Sequence, residues 1–590
     1  MLLKSLISLC AIGALGGCAA PMNNRVAGPG PSPETLAPAP VEVGIVAFND
    51  FHGALEPPRQ SVAAPDGKGG TVAVPAGGAA WLASAVQSVR ARHPNHLTVA
   101  AGDLISASPL ASSLYLDEPA VGVMNRLGLE FSAVGNHEFD RGRQEILRMQ
   151  NGGCAKFTAR TPCALERFGG AQYRYLAAST LTESGQPLLA ATGMKSFGSG
   201  ERKVTVGLIG LTLKGTAQIV SPDGIAGLTF ADEVATINAL VPGLKAQGAD
   251  AIVVLIHQGG AQEPDTDPNG CTGFSGDIRP ILDNVDPRVD LVVSGHTHRA
   301  YVCDYAAYNP ARPILLTSAG NNGRMITDIT LAIDPQTHRV TARRAANVIV
   351  QSEPYRGAAG PVANTDAYPR FAPDSAVGTY VARYVAATRD YSNRRVGAIS
   401  GPVGSRVILG QMIADAQLLA TRPAGAVMAL MNRGGVRADL VPAADGAITF
   451  GDIYTVEPFG NGLLTGTITG ADLRAVIEQS VDDVGEITPA IPSEGLRFSF
   501  DRRRPSGSRV VDLTFAGKPV DPAATYRLTV SAFLAGGGDG YTVLKRLRDV
   551  VPGGIDLDAF EAWFKAAPLR QVPTTYRITD LAPLPASADH

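Results

Sequence analysis

The amino-acid sequence predicts an α/β protein with at least two domains, and three observations support this prediction. Short apolar runs alternate with segments of helical spacing over roughly 300 residues, a pattern typical of strands buried on both faces between helices. A region rich in Pro, Ala and Gly at 351–375 separates these elements from a second α/β series. At 590 residues the chain is also too long for a single core.

The first 18 residues have the pattern of an export signal. Lys4 supplies a positive charge, residues 6–15 form a short apolar run, and Leu15–Cys18 close it with small residues and a cysteine. The apolar run is too short to span a bilayer. Residues 19–40 are rich in Pro, Ala, Asn and Gly, and we expect them to form a tether without regular structure.

The run Leu15–Cys18 resembles the lipobox of bacterial lipoproteins, whose cysteine becomes the lipidated first residue of the mature protein. The resemblance implies a lipid anchor at Cys18 and an exported, periplasmic protein. Ala19 stands where an Asp commonly retains such lipoproteins in the inner membrane, so we expect anchoring in the outer membrane. The alternative is an ordinary secretory signal that is cleaved nearby.

Four of the six cysteines remain after Cys10 leaves with the signal and Cys18 takes the lipid. An even number in an oxidising compartment indicates disulfides. Of the three possible pairings, the simplest joins Cys154 to Cys163 across a short polar loop and Cys271 to Cys303 around a strand and its turn. No Cys-x-x-Cys spacing occurs, which disfavours a cysteine metal site.

The formal net charge of −3 shows no basic excess. We therefore expect neither a nucleic-acid polymer nor an anionic membrane surface as a partner, and we predict no protein partner. A small anionic ligand is compatible with this charge, because a local cluster of arginines or metal ions does not show in the total.

The elements follow in chain order from their apolar spacing. Residues 43–48 are apolar almost throughout, as expected for a strand buried on both faces, and residues 78–92 repeat apolar residues three and four apart. By the same criteria we predict strands at 96–101, 131–134, 204–211, 251–256, 289–293, 314–317, 325–333 and 427–431, and helices at 118–127, 231–247 and 376–388. Residues 150–200 are Gly-rich and irregular, and we interpret them as loops.

Polar side chains follow five of these strands at the point where each strand ends. They are Asp50 and His52, then Asp103, then Asn136 with His137, then His257, and finally His296 and His298. Because α/β proteins place their sites at the carboxyl ends of strands, we expect these side chains to meet. Asp50 and His52 are two residues apart, so in an extended segment they point to the same side.

Such a cluster has the composition of a two-metal centre. Two divalent cations need a shared carboxylate, which Asp103 fits, and a rim of N and O ligands. Asp50, His52 and one of the two late histidines would complete one site, and Asn136, His257 and the other histidine would complete the second. With no thiolate in the set, Zn, Mn, Fe and Co all suit it. His137, oriented by Asp140, is the candidate donor to a leaving oxygen.

The same blocks, in this order, resemble the calcineurin-like metallophosphatases. Within that superfamily, Asn49–Gly53 and Asn136–Asp140 resemble the 5′-nucleotidase and UDP-sugar hydrolase family. The resemblance implies an enzyme with a β-sandwich flanked by helices at 41–350, a linker and connecting helix at 351–388, and an α/β substrate-binding domain at 389–580. It assigns one metal to Asp50, His52, Asp103 and His298, and the other to Asp103, Asn136, His257 and His296. Some bacterial members carry Gln where His298 stands.

The second half resembles the C-terminal domain of the same family. By this resemblance Asn432 and Arg437 contact polar groups of a nucleotide, Phe459 and Phe533 sandwich the base, and Asp539 binds the ribose hydroxyls. The family often places further phosphate-binding arginines before a Leu-Gly-Asn turn. Here Leu409-Gly410-Gln411 follows Arg406 too closely to align, so Arg406 and Arg433 are candidates only.

The favoured function is therefore hydrolysis of extracytoplasmic nucleotides for salvage. The alternatives within enzymes are a UDP-sugar hydrolase, a 2′,3′-cyclic-nucleotide phosphodiesterase and a thiosulfate-ester hydrolase. An alternative of another class is a lipoprotein that binds nucleotide without catalysis. The presence of every expected ligand together with His137 disfavours this last alternative.

Overall fold

The structure is a computed structural model that describes residues 39–482 and 488–582. The signal, Cys18 and nearly all of the tether lie outside the described residues, so these expectations stay predictions. Within the described ranges we find no helix with the length and apolarity that crossing a membrane requires.

The first half contains sixteen strands and seven α-helices within the described residues. They are β1 Val41–Phe48, β2 Gln60–Pro65, β3 Thr71–Ala76, α1 Ala79–Arg90, β4 His96–Ala100, α2 Leu110–Ser113, α3 Glu118–Leu127, β5 Phe131–Ala133, α4 Arg143–Asn151, β6 Arg174–Leu176, β7 Thr180–Leu181, β8 Thr192–Phe197, β9 Val204–Thr212, α5 Thr216–Ile219, β10 Thr229–Phe230, α6 Glu233–Ala246, β11 Ala251–His257, α7 Ile278–Asn284, β12 Leu291–Ser294, β13 Ala300–Asp304, β14 Leu315–Ala319, β15 Met325–Asp334 and β16 Arg339–Ile349.

Two six-stranded sheets are built from these strands. The first has the order β16-β15-β1-β4-β5-β6 and the second the order β13-β14-β12-β11-β9-β8. Strands β1, β4, β5 and β6 run parallel in the first sheet, and β9, β11, β12 and β14 run parallel in the second. Every strand that precedes a predicted ligand therefore belongs to the parallel part of one of these two sheets.

The sheets pack face to face around a shared core. Val43 and Ile45 of β1 point into this core, as do Val253 and Leu255 of β11, while alternate residues of each strand pack outward against helices. Burial on both faces explains why these strands are apolar throughout instead of alternating with polar residues. The fold prediction of a β-sandwich flanked by helices is confirmed.

The interpretation of 150–200 as loops is wrong for three segments, which form the strands β6, β7 and β8. Residues Thr192–Phe197 form β8, an edge strand that pairs antiparallel with β9. Gly193 lets β8 pack closely on β5 of the first sheet, since a Cβ there would lie 2.4 Å from Cε1 of Phe131. An edge strand has one partner and few buried residues, so its apolar signal is weak.

Both predicted disulfides are present in the structure. Cys154 pairs with Cys163 and Cys271 with Cys303, with Cα atoms 5.5 and 5.2 Å apart. These separations lie within the range that disulfide geometry needs. The first bridge closes the loop after α4, and the second ties the segment before α7 to β13.

The segment that joins the two halves is ordered and packs on the first half. It contains the hairpin β17 Tyr355–Gly357 and β18 Gly360–Val362, followed by α8 Ser375–Ser392. The buried Gln351 side chain donates to the carbonyl of Tyr368 at 2.9 Å. Tyr380 and Tyr384 of α8 lie in the same core cluster as α1 and α3. The connecting helix is thus packed as part of the first half.

The second half contains two larger sheets and one two-stranded sheet among its described residues. Its elements are β19 Arg395–Ala398, α9 Arg406–Thr421, β20 Met428–Met431, β21 Ala447–Thr449, α10 Phe450–Val456, β22 Gly462–Thr469, α11 Gly470–Ser480, β23 Ile491–Pro492, β24 Leu496–Phe500, β25 Val510–Phe515, β26 Lys518–Pro519, β27 Thr525–Ser531, α12 Ala532–Ala535, β28 Arg548–Ile555, α13 Asp556–Lys565 and β29 Ile578–Asp580. The larger sheet has the order β23-β20-β27-β22-β28 and the smaller the order β26-β25-β24-β29.

The described residues from Pro40 onward pack as one unit, and α2 joins the two halves. Leu110 at the start of α2 lies in the hydrophobic core of the second half. The hydroxyl groups of Ser113 and Tyr454 hydrogen bond at 2.5 Å across the boundary. The loop after β4 therefore reaches both the candidate site and the second half.

Candidate active site

The turns after β1, β4, β5, β11 and β12 meet at one edge of the sandwich. Parallel strands end on the same edge, so their turns converge there. Backbone hydrogen bonds join the first two turns, because Asp50 N–H donates to the carbonyl of Gly102 and His52 N–H donates to the carbonyl of Asp103, both at 3.0 Å. The site thus draws ligands from both sheets.

Asp50, His52 and His298 form one group whose ligand atoms all lie within 4.8 Å of one another. The Nε2 atoms of His52 and His298 are 3.0 Å apart, and Nε2 of His298 lies 3.4 Å from Oδ1 of Asp50. Asp50 and His52 are fully buried, while the His298 side chain is 26% exposed. This group therefore opens to the cleft through His298.

Asp103, His257 and His296 form a second group of the same kind. Oδ2 of Asp103 lies 3.0 Å from Nε2 of His257 and 3.8 Å from Nε2 of His52 in the first group. Oδ1 of Asn136 lies 3.1 Å from Nε2 of His257. Asp103 thus stands between the two groups, where a carboxylate can bridge two cations.

The turn of Asp50 and His52 is not the extended segment that we expected. Asp50 has φ of 52° and His52 has φ of 47°, and Asp103, His296 and His298 share this left-handed conformation. Residues with a Cβ pay roughly 1–2 kcal/mol each for it. The two side chains reach one site because a tight turn aims them inward, so the premise of the expectation was wrong. Strain of this kind persists where surrounding contacts enforce it.

Backbone carbonyls orient two of the histidines. Nδ1 of His52 lies 3.0 Å from the carbonyl of Ser106, and Nδ1 of His257 lies 2.8 Å from the carbonyl of Ala101. A carbonyl only accepts, so Nδ1 carries the proton of the neutral ring and Nε2 presents its lone pair to the carboxylates. Buried carboxylates facing such nitrogens are a donor set that fits divalent cations.

Asp103 and His257 dominate the electrostatics of the site. Burial raises the pKa of Asp103, but the charges on His257 and His137 outweigh it and hold that pKa well below its usual range. Burial lowers the pKa of His257, but Asp103 outweighs it and raises the pKa to about 10. Burial, followed by the charge on His257, lowers the pKa of His296 to about 3. A cation that binds His257 must replace its proton, so loading weakens at low pH.

Glu138 is a site residue to which the sequence analysis assigned no role. Its side chain is buried, and its carboxylate accepts the backbone N–H groups of Gly135, Asp103 and Leu104 at 2.6, 3.0 and 2.7 Å. It thereby fastens the turn after β4 to the turn after β5. The signal was its place beside Asn136 and His137 at a strand end, where a carboxylate can collect the free N–H groups of two turns.

His137 and Asp140 form a hydrogen-bonded pair beside these groups. Nδ1 of His137 lies 2.7 Å from Oδ2 of Asp140, and the His137 ring is in edge contact with His52. Burial lowers the pKa of His137, but the charges on Asp140 and Asp103 outweigh it and raise this pKa. The imidazolium, which is the form that can donate a proton, is favoured by both carboxylates.

Two side chains of the second half reach this point. Phe459 stacks on the His137 ring with centroids 5.8 Å apart and planes 21° apart. The Arg437 guanidinium lies 5.8 Å from the Phe459 centroid. Burial lowers the pKa of Arg437, while Asp103 and Asp50 raise it, so its charge acts on the same carboxylates. The structure thus brings Arg437 and Phe459 to the candidate metal ligands.

The other expected substrate residues lie farther along the second half. Nδ2 of Asn432 donates to Oδ2 of Asp539 at 2.6 Å. Phe533 packs partly against the core of this half and covers Gly538, where a Cβ would lie 2.4 Å from its Cε2. A base sandwich between Phe459 and Phe533 stays a prediction, because core packing also explains the position of Phe533.

A cleft of about 3850 Å³ runs between the two halves. His296 and His298 line it from the first half, and Gly434 and Asp539 line it from the second. The two arginine candidates, Arg406 and Arg433, also line this cleft. It has room for a nucleotide between the histidines and the loops of the second half.

Comparison with known families and proteins adds to this geometry. Residues 44–300 match the model of the calcineurin-like phosphoesterases, and residues 382–546 match the model of the 5′-nucleotidase C-terminal domain. Together the two matches include every candidate metal ligand, His137 and all the candidate substrate residues.

Individual relatives extend over nearly the whole chain. An endonuclease, YhcR, of Bacillus subtilis is 30% identical over 89% of this chain, which spans 40% of its length. A probable 5′-nucleotidase of Treponema pallidum is 27% identical over 85% of this chain and 87% of its own. The crystal structure of a 5′-nucleotidase precursor from Thermus thermophilus superposes with a TM-score of 0.71 at 26% identity, covering 92% of this chain and 99% of that one.

Proposed function

This chain belongs to the calcineurin-like phosphoesterases that carry a 5′-nucleotidase C-terminal domain, and we propose that it hydrolyses phosphate esters of nucleotides outside the cytoplasm, releasing nucleoside and phosphate. One observation carries the proposal. Phe459 of the second half stacks on His137 of the first, and the charge of Arg437 beside it acts on the carboxylates Asp103 and Asp50. A phosphate bound at the ligands would therefore place its nucleoside beside the second half.

We assign one cation to Asp50, His52, Asp103 and His298, and a second to Asp103, Asn136, His257 and His296. Zn or Mn suits these nitrogen and oxygen ligands. When bound, such a pair stabilises the charge of a phosphoryl group and supplies an activated water.

The residues of the chain supply the remaining parts of the reaction. His137 donates its proton to the leaving oxygen, and Asp140 holds its Nδ1 so that Nε2 faces the substrate. The permanent charge of Arg437 binds the phosphoryl oxygens.

Nucleoside recognition falls to the second half. Phe459 and Phe533 offer aromatic faces to a base, and a base stacked on such a ring gains about 1–3 kcal/mol. Asp539, held by Asn432, accepts hydrogen bonds from the ribose hydroxyls. The first half thus supplies the phosphoesterase chemistry, and the second half supplies the preference for nucleotides.

The location rests on the export pattern and on the disulfides. Two disulfides of the structure indicate an oxidising compartment, and the lipobox-like run indicates a lipid anchor at Cys18. Hydrolysis there converts a charged nucleotide into a nucleoside, which supports a role in nucleotide salvage.

The test is hydrolysis by the full-length protein after chelation and readdition of Mn²⁺ or Zn²⁺, with the organic products separated by chromatography and inorganic phosphate measured beside them. Adenosine 5′-monophosphate, UDP-glucose, 2′,3′-cyclic AMP and an aryl phosphate are compared. We expect metal-dependent turnover, with kcat/KM for the monophosphate about tenfold or more above that for the aryl phosphate, as one stacked base predicts.

The His137→Ala variant should lose turnover and keep its metal. His93→Ala is the matched control, because Nε2 of His93 lies 2.7 Å from Oδ1 of Asp328 in a similar pair outside the site. Preference for UDP-glucose or the cyclic nucleotide would replace the proposed substrate. Nucleotide binding without turnover of any ester would overturn catalysis itself.

A further inference from the structure

His298 differs from His52 and His257 in the group that its Nδ1 atom contacts. Nδ1 of His52 faces a backbone carbonyl, as does Nδ1 of His257. Nδ1 of His298 instead lies 3.2 Å from Nδ2 of Asn321, in the turn after β14. A carbonyl accepts a proton from Nδ1, whereas an amide NH2 group donates one to it.

Arg324 fixes the direction in which the Asn321 amide points. Its Nη2 donates to Oδ1 of Asn321, and its Nε donates to the backbone carbonyl of the same residue at 3.4 Å. Its Nη1 donates to the carbonyl of Ser61 in β2 at 2.9 Å. A guanidinium has donors only, so the oxygen of Asn321 must face Arg324 and its NH2 group must face His298.

This arrangement opposes metal binding by His298. When Nδ1 accepts from Asn321, the neutral ring carries its proton on Nε2, the atom that faces Asp50 and His52. A protonated nitrogen has no lone pair for a cation. For His298 to bind through Nε2, the proton must move to Nδ1 and Asn321 must turn, which breaks its bond with Arg324.

We propose that Asn321 and Arg324 are positioning residues that weaken His298 as a ligand. The cation at Asp50, His52 and His298 is then bound more loosely than the cation at Asp103, His257 and His296, and it is the one that exchanges. The inference rests on the two-cation centre of the proposed function. Its consequence is an enzyme whose activity follows the supply of divalent cation.

The test measures Mn²⁺ binding to the metal-free full-length protein, with free Mn²⁺ followed by its electron paramagnetic resonance signal. We expect two dissociation constants in the wild type, one of them looser. In Asn321→Asp a carboxylate accepts the Nδ1 proton of His298 and still pairs with Arg324. Supporting a histidine ligand in this way changes metal affinity by about tenfold or more, so the looser constant should fall by that factor.

Asn322→Asp is the matched control. It adds the same charge one residue away, but the Asn322 side chain points elsewhere, since its Nδ2 donates to Oε1 of Gln60 at 3.1 Å. The bond from its backbone N–H to the carbonyl of Asp50, at 2.7 Å, does not depend on the side chain. Equal tightening in both variants would show simple attraction between charges and would overturn the inference. Tightening in Asn321→Asp that disappears in the double variant with His298→Ala would support it.

Arg324 gives a second, independent comparison. Arg324→Met frees Asn321 to turn its oxygen to His298, and should tighten the looser constant, whereas Arg324→Lys keeps a donor and should not. Two equally tight constants in the wild type, or no response to any of these variants, would overturn the inference. Failure of the wild type to bind Mn²⁺ at all would overturn the proposed metal centre instead.

Discussion

Glu457 offers a sharp test of how burial governs this fold. It follows α10 directly, two residues before Phe459, and its side chain is fully buried. Neither carboxylate oxygen has a hydrogen-bond donor among the described residues. Burial, followed by the charge on Asp556, raises the pKa of Glu457 well above its usual range, and burial raises the pKa of Asp556 to about 6.

Glu457 is the member of this pair that keeps its proton. Oδ1 of Asp556 accepts the N–H of Leu557 at 2.7 Å at the start of α13, where a negative charge is favoured. The folded chain therefore holds a proton that the unfolded chain releases near pH 4.5. Stability from this group is fully present below that pH and is lost as pH rises toward the folded pKa.

The expected size follows from this linkage. At each pH where the folded chain retains one proton that the unfolded chain has released, the free energy of unfolding falls by about 1.4 kcal/mol per pH unit. Glu457→Gln keeps the shape, donates to Asp556 and has no proton to lose. The stability of this variant relative to wild type should therefore rise with pH by about 1.4 kcal/mol per unit.

The assay is urea unfolding at pH 5, 6, 7 and 8 in a Trp81→Phe background, so that Trp563 in α13 reports the second half. Glu478→Gln is the control, because this buried glutamate accepts the N–H groups of Arg509 and Val510. It should lose stability at every pH. The free energy of unfolding of Glu457→Gln minus that of wild type should rise with pH. A value that stays constant or falls with pH would refute the reasoning.

Three further predictions concern the candidate site and the disulfides. Asp103→Ala should abolish hydrolysis and lower the bound metal, whereas His137→Ala should abolish hydrolysis and keep the metal. Elemental analysis of each variant, beside its phosphate release, distinguishes the two effects. Phe459→Ala should raise KM for nucleotides about tenfold and leave an aryl phosphate little changed, and an equal loss on both substrates would mean that the ring only packs on His137. Cys271→Ser should cost roughly 3–4 kcal/mol by loop entropy, visible as a lower Tm, with unchanged Tm as the contrary result.

The positions of the candidate metal-ligating side chains were predictable from sequence. The runs before Asp103, Asn136 and His257 are apolar because their strands are buried on both faces, and polar residues at their ends stand out for the same reason. The fold class was likewise predictable from apolar spacing, and the simplest of the three possible cysteine pairings is the one that the structure has.

Other features depended on contacts between distant parts of the chain. That the strands form two sheets, and that β8 closes an edge, is decided by packing across the shared core. The stacking of Phe459 on His137 joins residues 322 positions apart, by their numbers in the chain. No periodicity encodes such a meeting.

The sequence by itself determined which chemistry this protein carries, because carboxylates and imidazoles at strand ends are a local pattern. Only the tertiary structure decided how each group is held. The left-handed turns, the clamp of Glu138 on two turns and the hold of Arg324 on Asn321 all arise where separate segments come within hydrogen-bonding distance. Hydrogen bonds act over about 3 Å, so the packing of both sheets must form before these partners exist.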